Sequence, residues 1–399
     1  MRGCLVFWGG SCYSKNKKNK GKKRRRCAPA REGGAGRPGA AGQPPQKRRG
    51  FDLNSQCTIR DIARLAQVSI STVHKAIYGK PGVGEEVRQK ILRIAAENHY
   101  TINPTASNLK RGLLNVVVAL PQLPQSHDQF FRGLWRGIDN GEPFMRDRNV
   151  TVLRMSCGQN AQEQAAALEE ILRMQAVDGL ITYCWDDELL NPWFERLHER
   201  GVPVVTVEAD APGSCRAGCV AIDAERSGRL VAETMGKMLR RQGPLMLLSG
   251  SQPPNLLRDK AYGFSTCAAQ CMPGQRILQL YGSSYDDGLE NIIFQELKAH
   301  PDIAGVYCAS GSAGLPMCRA LHRAGVAGQV VAVASDAYEE LLPYLEDGTV
   351  YATVWQAPEQ QAESALLLLY DLMTGRCAGP VIKHVPLGIL FQNNCFYYV

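Results

Sequence analysis

Along most of the chain, short apolar runs alternate with longer stretches whose apolar residues recur at helical spacing. Ten runs of β-forming residues lie between residues 113 and 355, and helical patterns such as 161–176 and 225–242 separate them. This alternation is typical of parallel sheets covered by helices, a doubly wound α/β architecture. Because ten strands are too many for one comfortable open sheet, we expect two sheets with a cleft between them.

The body, residues 113–399, is therefore predicted to form two lobes. We assign about 113–222 and 357–378 to the first lobe, and about 223–355 and 380–399 to the second. One residue conflicts with its surroundings, because Pro143 falls inside the predicted first helix of the body. Proline lacks an amide hydrogen and clashes with the preceding turn, so we expect it to end or kink that helix.

Before the body, residues 56–102 have a purely helical period that predicts three short helices. Thr58 can cap the first helix, with Asp61 in its first turn, and Ser69 can cap the second. The positions predicted to face inward are Ile59, Ile62, Ala63, Leu65, Ala66, Val73, Ala76, Ile77, Val87, Ile91, Ile94 and Ala95. A helix, a short turn and a polar second helix form the helix-turn-helix pattern of DNA-binding proteins. From spacing alone, an ordinary three-helix bundle with a solvated polar face fits equally well.

The second of these helices carries most of the candidate DNA contacts. The candidates in this unit are Thr58, Ser69, Ile70, Ser71, Thr72, His74 and Lys75. Lys75 suits guanine O6 and N7, Ser71 either base edge, and Ile70 a thymine methyl group. Thr72 and the amide of Ser69 are better placed to contact phosphate.

Charge is divided unevenly between these regions. The chain has a formal net charge of +8, but residues 1–50 hold 15 Lys and Arg with one acid, residues 57–112 carry +5, and residues 113–399 carry −10. A polyanion would therefore meet the N-terminal part. Residues 1–55 are low in complexity and are expected to be disordered. Their Lys/Arg run is either a nucleic-acid tether or nuclear signal, or it lies upstream of the true start, which is the interpretation we favour.

Composition also narrows the function. We find no apolar run long enough for a membrane span and no export signal, so we expect a cytoplasmic, bacterial protein. The 14 cysteines are scattered, and we interpret them as buried or incidental thiols rather than a disulfide framework or a metal site. No phosphate-binding glycine loop follows a predicted strand, and no Gly-x-Ser-x-Gly elbow occurs. We therefore predict neither an enzyme nor a bound cofactor.

The helical unit carries motifs in a characteristic order. They are TIRDIA from residue 58, AQVS from 66, TVHK from 72, VGEEVRQKI from 83, YTIN from 100 and ASNL from 106. This series resembles the DNA-binding head of the lactose-repressor (LacI/GalR) family. Gln67, Ile102 and Ser107 replace the family's usual turn glycine, proline and arginine. The resemblance implies a hinge helix over 103–112 that forms on operator DNA.

In that hinge, the resemblance implies a direct role in DNA bending. Leu109 matches the leucine that wedges into the minor groove and kinks the duplex. Asn103 and Ala106 are the further hinge residues that we expect at the DNA.

A two-lobed body after such a head resembles the periplasmic sugar-binding protein fold, in which the ligand lies between the lobes at strand C-termini. Matching positions imply ligand contacts at Asp128, Phe130, Phe131, Glu208, Arg258, Lys260, Ser310, Asp336, Trp355 and Gln356. Each of these also has a plainer interpretation, as a core aromatic or a solvated strand end. The implied ligand is a sugar, polyol or sugar acid, and the cation of Lys260 leaves room for a carboxylate or phosphate.

These features predict an all-α helix-turn-helix head followed by a two-lobed α/β body. The resemblance implies a ligand-responsive repressor of a carbohydrate uptake or catabolism operon, bound as a homodimer to a pseudo-palindromic operator. The alternative is a solute-binding protein of a sugar transport system, for which the body alone would serve. An architectural DNA-binding protein would leave the acidic body without a role.

Overall fold

The computed structural model describes residues 58–77, 82–98, 112–122, 129–249, 255–281 and 288–399. The predicted disordered leader and four candidate residues, Asn103, Ala106, Leu109 and Asp128, lie outside the described residues. Within the described ranges, no helix has both the length and the apolar character needed to cross a bilayer.

The head consists of three helices, α1 (Ile59–Ala66), α2 (Ile70–Ile77) and α3 (Glu85–Glu97). Ile62, Val73 and Ile91 are fully buried at its centre. Two predicted inward residues are not buried, since Leu65 is 48% exposed and Val87 is 37% exposed. Leu65 points well away from the direction shared by its buried neighbours on α1, and Val87 lies on the first turn of α3, one turn before Ile91.

Both predicted caps of the head are confirmed. Thr58 forms a capping box with Asp61, in which the Thr58 amide donates to Asp61 Oδ2 at 3.1 Å. Ser69 Oγ accepts from the amide of Thr72 at 3.1 Å. Between them, Gln67 adopts a left-handed conformation with φ of 58°. This geometry favours glycine and costs another residue about 1 kcal/mol.

The body contains two six-stranded sheets, which confirms the predicted fold class. The strands are β1 (Leu114–Leu120), β2 (Val150–Ser156), β3 (Gly179–Thr182), β4 (Val204–Val207), β5 (Gly218–Ala221), β6 (Leu245–Leu248), β7 (Ile277–Leu280), β8 (Gly305–Cys308), β9 (Val331–Ser335), β10 (Ala352–Trp355), β11 (Val381–His384) and β12 (Gly388–Leu390). The order is β11-β5-β4-β3-β1-β2 in the first sheet and β12-β10-β9-β8-β6-β7 in the second. All of these pairs are parallel except β10 with β12.

Helices connect and cover these strands. They are α4 (Gln129–Arg146), α5 (Ala161–Arg173), α6 (Asp187–Glu199), α7 (Ala224–Met238), α8 (Asn255–Cys271), α9 (Leu289–Ala299), α10 (Gly314–Ala324), α11 (Leu342–Glu346) and α12 (Pro358–Met373). Their apolar faces bury a separate hydrophobic core around each sheet. The two lobes therefore fold around their own sheets.

The two sheets have the same strand order, position by position, so the second lobe repeats the topology of the first apart from the direction of the sixth strand. This repeat corrects one predicted boundary. We expected residues 380–399 in the second lobe, but β11 pairs with β5 in the first sheet and only β12 joins the second. The two short strands escaped prediction because neither has a long apolar run of its own, and each depends on a partner strand distant in sequence.

Pro143 does not end α4, as one of the two expected effects required, because the helix continues for three residues beyond it. Pro143 lies in the last turn of the helix and is exposed. The carbonyl of Asp139, which the proline leaves without its usual amide donor, is on the same exposed side and can be hydrated.

Two glycines allow α7 and α8 to pack with their backbones almost in contact. A Cβ atom on Gly263 would lie 2.0 Å from the carbonyl oxygen of Glu225. A Cβ atom on Gly228 would lie 2.0 Å from the carbonyl oxygen of Lys260. The contact therefore fixes the position of α8, the helix that carries Lys260.

We expect Gly263→Ala to lower the free energy of unfolding by about 2 kcal/mol or more, because the new methyl group meets backbone that cannot move aside. Urea denaturation followed by circular dichroism measures the change. Gly112→Ala is the control, since a Cβ there meets no atom within 4 Å. Equal stability of the two variants would contradict the close packing of α7 and α8.

Candidate ligand cleft and DNA-binding face

On α2, the candidate DNA contacts form one exposed face. Ile70 and His74 are one turn apart, as are Ser71 and Lys75, and all four are exposed. Ile70 is 47% exposed although it is a large apolar residue. An unpaired isoleucine beside polar and basic side chains suits contact with base edges, including a thymine methyl group.

The remaining head candidates serve the caps. Thr72 is half-buried, and its hydroxyl lies 2.8 Å from Ser69 Oγ. The Thr58 hydroxyl donates to Asp61 Oδ2 at 2.6 Å. Both hydroxyls therefore already have protein partners.

In the body, the structure brings together three predicted residues that are ionisable and buried. Glu208 follows β4 in the first lobe, Asp336 follows β9 in the second, and Lys260 lies on α8. Their exposed fractions are 5%, 7% and 2%. Lys260 Nζ lies 4.0 Å from Glu208 Oε1 and donates to the carbonyl of Ala309 at 3.3 Å. We call Glu208, Lys260 and Asp336 the charged triad.

The two carboxylates occupy equivalent positions in the repeated lobes. β4 and β9 hold the same place in their sheets. Glu208 has φ of 63° and Asp336 has φ of 68°, and both are left-handed. The amide of Glu208 donates to Val220 at 3.0 Å, and the amide of Asp336 donates to Val354 at 2.8 Å, each on the neighbouring strand. The same backbone turn thus directs one carboxylate from each lobe into the cleft.

Two glutamines support the carboxylates. Gln356, which was predicted, donates its amide to Asp336 Oδ1. Gln361 on α12 was not predicted; its Nε2 donates to Glu208 Oε2 at 2.8 Å and to the Gln356 carbonyl at 3.0 Å. The side-chain oxygens of both glutamines are buried and have no hydrogen-bond partner in the described structure. Nothing in the local sequence marks Gln361, because its role depends on where α12 begins beside the cleft.

Burial dominates the electrostatics of the triad. It raises the pKa of Glu208 to about 7, although Lys260 acts in the opposite direction; the nearby Asp336 adds to the increase. Burial also raises the pKa of Asp336, against the effects of Lys260 and the Gln356 hydrogen bond. Two carboxylates therefore share one ammonium group in a water-poor site, and protonation of Glu208 relieves part of the excess negative charge.

Three aromatic side chains, here called the aromatic wall, pack together in the hydrophobic core of the first lobe near the C-terminal end of β3. Phe131, which was predicted, is buried and packs at 5.3 Å between ring centroids against Tyr183. Tyr183 packs at 4.9 Å against Trp185. Tyr183 and Trp185 were not predicted, although both follow directly after β3, where a strand end would have indicated them. Phe130 is half-buried and contacts Phe131 edge to face at 5.8 Å.

Three other candidates differ in position. Arg258 is exposed, and its nearest acid is the adjacent Asp259 at 3.6 Å, so the structure does not bring it into the charged triad. Ser310 is half-buried and its hydroxyl lies 2.8 Å from that of Ser312. Trp355 is half-buried at the end of β10, directly before Gln356. Arg258 points outward because it lies two residues before the buried Lys260 on α8. Two residues turn a helix by about 200°, so the two side chains are on nearly opposite sides.

Comparison with protein families divides the chain where the structure does. The family described as "Periplasmic binding protein domain" matches residues 121–377. The family described as "Bacterial regulatory proteins, lacI family" matches residues 58–103. The first match spans most of the two-lobed body, and the second spans the three helices of the head.

Two similar proteins represent these two parts. The ribose import binding protein RbsB of Bacillus subtilis (strain 168) is 24% identical over 269 residues, which cover 67% of this chain and 85% of that protein. The ribose operon repressor of Haemophilus influenzae is 33% identical over 129 residues, or 32% of this chain. That alignment spans 37% of the repressor's length.

Solved structures show the same fold. A transporter solute-binding protein from Burkholderia graminis C4D1M, in complex with D-arabinose, aligns with a TM-score of 0.65 and 22% identity over 72% of this chain and 99% of that protein. A structure described as that of a putative LacI transcriptional regulator from Bacteroides fragilis has a TM-score of 0.65 and 16% identity over 72% of this chain and 100% of that one.

The raised pKa of Glu208 predicts a pH-dependent stability. The folded state holds a proton up to about pH 7, whereas the unfolded chain releases it near the ordinary value of 4.5. The free energy of unfolding therefore falls as the pH rises between these values, by roughly 3 kcal/mol for this one group. We expect Glu208→Gln to remove this part of the pH dependence, measured by urea denaturation from pH 4.5 to 8.

The control is Glu188→Gln, because Glu188 is exposed on α6. This variant should keep the pH dependence of the wild type. If Glu208→Gln kept it as well, Glu208 would not be the group that holds the proton.

Proposed function

Because the chain belongs to the family of periplasmic binding protein domains and carries a lacI-type head, we propose that it is a sugar-responsive transcriptional repressor. Its cleft binds a neutral sugar, and its head binds operator DNA. The observation that carries the ligand class is the charged triad, in which each lobe contributes one carboxylate to a shared buried site. The B. subtilis relative is named for ribose import and the H. influenzae relative for the ribose operon, so D-ribose is the first ligand to test.

The hydrogen-bonding groups of the cleft favour a ligand that donates. Glu208 and Asp336 accept hydrogen bonds, and so do the unpaired oxygens of Gln356 and Gln361. Lys260 is the donor of the triad. A buried acceptor without a partner costs about 1–3 kcal/mol, and paired sugar hydroxyls supply the missing donors. The aromatic wall of Phe131, Tyr183 and Trp185 suits the C–H face of a sugar ring.

The triad disfavours an anionic ligand. The sequence leaves room for a sugar acid because Lys260 is a cation, but Lys260 already lies among two carboxylates. A third negative charge in this site would add repulsion to the burial that already raises the pKa of both acids. We therefore propose a neutral sugar or polyol in preference to a sugar acid.

Polar contacts between the lobes link ligand binding to DNA binding, because they form only in one arrangement of the lobes. Arg132 on α4 contacts Glu340 of the second lobe at 3.2 Å. Asn255 on α8 donates to Asp187 of the first lobe at 2.7 Å. These pairs form only when the lobes are close, so a ligand that binds both lobes favours this arrangement. In a homodimer, the arrangement of the lobes sets the spacing of the two heads and hence operator affinity.

The second candidate function, solute binding for sugar transport, uses the body alone. The head argues against it, because the exposed face of α2 and its two caps have no use in carrying a sugar. From operator binding we infer that the protein acts in the bacterial cytoplasm, at the nucleoid.

Selection from a random DNA pool at fixed salt tests the head. We expect a palindromic consensus, and we expect Lys75→Ala to relax the preference at one base pair of each half-site, at about 1–3 kcal/mol. Arg93→Ala is the control, because it removes the same charge from an exposed position on α3. An equal loss of affinity for all sequences would make Lys75 a phosphate contact and not a base contact.

Matched pairs of sugars and sugar acids test the cleft. We expect D-ribose, D-allose or D-glucose to raise the melting temperature, and D-ribonate and D-glucuronate to leave it unchanged. Calorimetric titration gives the affinities, with Lys260→Met as the variant that removes the only cation of the triad. Tighter binding of the acid than of its neutral partner would overturn the proposed ligand class.

A further inference from the structure

After β12, the chain reverses and returns toward the cleft. β12 pairs antiparallel with β10, which places Gly388 opposite Trp355. A short turn follows, and then a single 3-10 turn at Cys395–Tyr397. This segment, residues 391–398, therefore starts beside the strand that carries Trp355 and Gln356 into the cleft.

Hydrogen bonds and one buried side chain hold the segment in place. The amide of Phe391 donates to Asn394 Oδ1 at 2.6 Å, and the amide of Cys395 donates to the Phe391 carbonyl at 3.0 Å. Cys395 is 2% exposed and belongs to the core of the second lobe. Gln392 Nε2 donates to the Glu346 carbonyl at 3.3 Å. The turn is thus a fixed part of the second lobe.

The end of the segment reaches residues of the ligand cleft. The ring centroid of Tyr398 lies 4.8 Å from that of Trp355. Tyr398 also lines a small cavity together with Gln129, Phe130 and Asp336. This cavity has walls from both lobes, and Asp336 is a member of the charged triad. Tyr398 therefore lies at the edge of the cleft where Asp336 and Trp355 are found.

The neighbouring aromatic residues show that this inward position is particular to one ring. Tyr398 is 39% exposed, whereas Tyr397 is 76% exposed and Phe396 is 57% exposed. Phe396 and Tyr397 pack on each other at 4.1 Å. Only Tyr398 of the three contacts Trp355 and the cavity among the described contacts.

We propose that Tyr398, held by the turn at 391–398, forms the outer wall of the ligand cleft and limits the ligand to a single sugar ring. This inference rests on the proposed function, since it assumes that the cleft binds a sugar. A ring fixed between Trp355 and the Asp336 end of the cavity leaves no space for a second sugar unit in that direction. It also holds Trp355 in position beside Gln356, which supports Asp336.

The test compares Tyr398→Ala with Tyr397→Ala, an identical change at the exposed neighbour. Calorimetric titration uses D-ribose as the single-ring probe and maltose as the two-ring probe. We expect Tyr398→Ala to weaken D-ribose binding by about tenfold and to admit maltose. Tyr397→Ala should match the wild type with both sugars, and Tyr398→Phe should retain ribose binding because it keeps the ring. Equal behaviour of the two alanine variants would overturn the proposal.

Acrylamide quenching of Trp355 separates this proposal from the ligand assignment. The Trp355 signal is the difference between each protein and its Trp355→Phe counterpart, so no sugar is needed. Tyr398→Ala should increase quenching, and Tyr397→Ala should not. If no variant bound either sugar but Tyr398→Ala still increased the quenching of Trp355, the proposed ligand class would be wrong and the position of Tyr398 as the wall would be supported. Unchanged quenching would overturn the wall, whichever ligand binds.

Discussion

The electrostatic interaction among the buried side chains of Glu208, Lys260 and Asp336 is the one on which the arrangement of the body depends. Two carboxylates and one ammonium group lie almost without solvent at the boundary of the lobes. Charges are stable in such a site only when they compensate one another and are hydrogen-bonded, so the elements that hold them must be placed accurately. The glycine contact between α7 and α8 fixes Lys260, and Gln356 and Gln361 fix the two acids.

The duplication of topology explains why two acids meet. β4 and β9 hold equivalent places in their sheets, and the residue after each turns into the left-handed region. That conformation costs a non-glycine residue about 1 kcal/mol, so it persists only where the surrounding structure fixes it. The lobes are not identical in detail. The side chain of Glu208 is longer than that of Asp336, and the one cation of the triad, Lys260, comes from the second lobe. The repeated topology positions the two acids, and these differences make the two sides of the cleft unequal.

Sequence patterns predicted the features that depend on neighbouring residues. Thr58 and Ser69 act as caps because a hydroxyl three residues before an amide is a local arrangement, and Glu208 and Asp336 were identifiable as strand ends. Features that depend on distant partners were missed or misplaced. β11 joins the first sheet through β5, Gln361 reaches Glu208 across 153 positions, and Tyr398 returns to Trp355. No periodicity encodes such contacts, because tertiary packing alone decides them.

A net negative buried site also connects ligand binding to the position of the lobes. Burial raises the pKa of both acids, and Asp336 adds to the increase at Glu208. A ligand whose hydroxyls donate to these oxygens lowers the cost of burying them only when the lobes are together. Its affinity for the closed arrangement therefore exceeds its affinity for an open one, and this difference is the free energy available to change operator binding. An anion would add to the cost of the buried negative charge, so the site favours a neutral ligand.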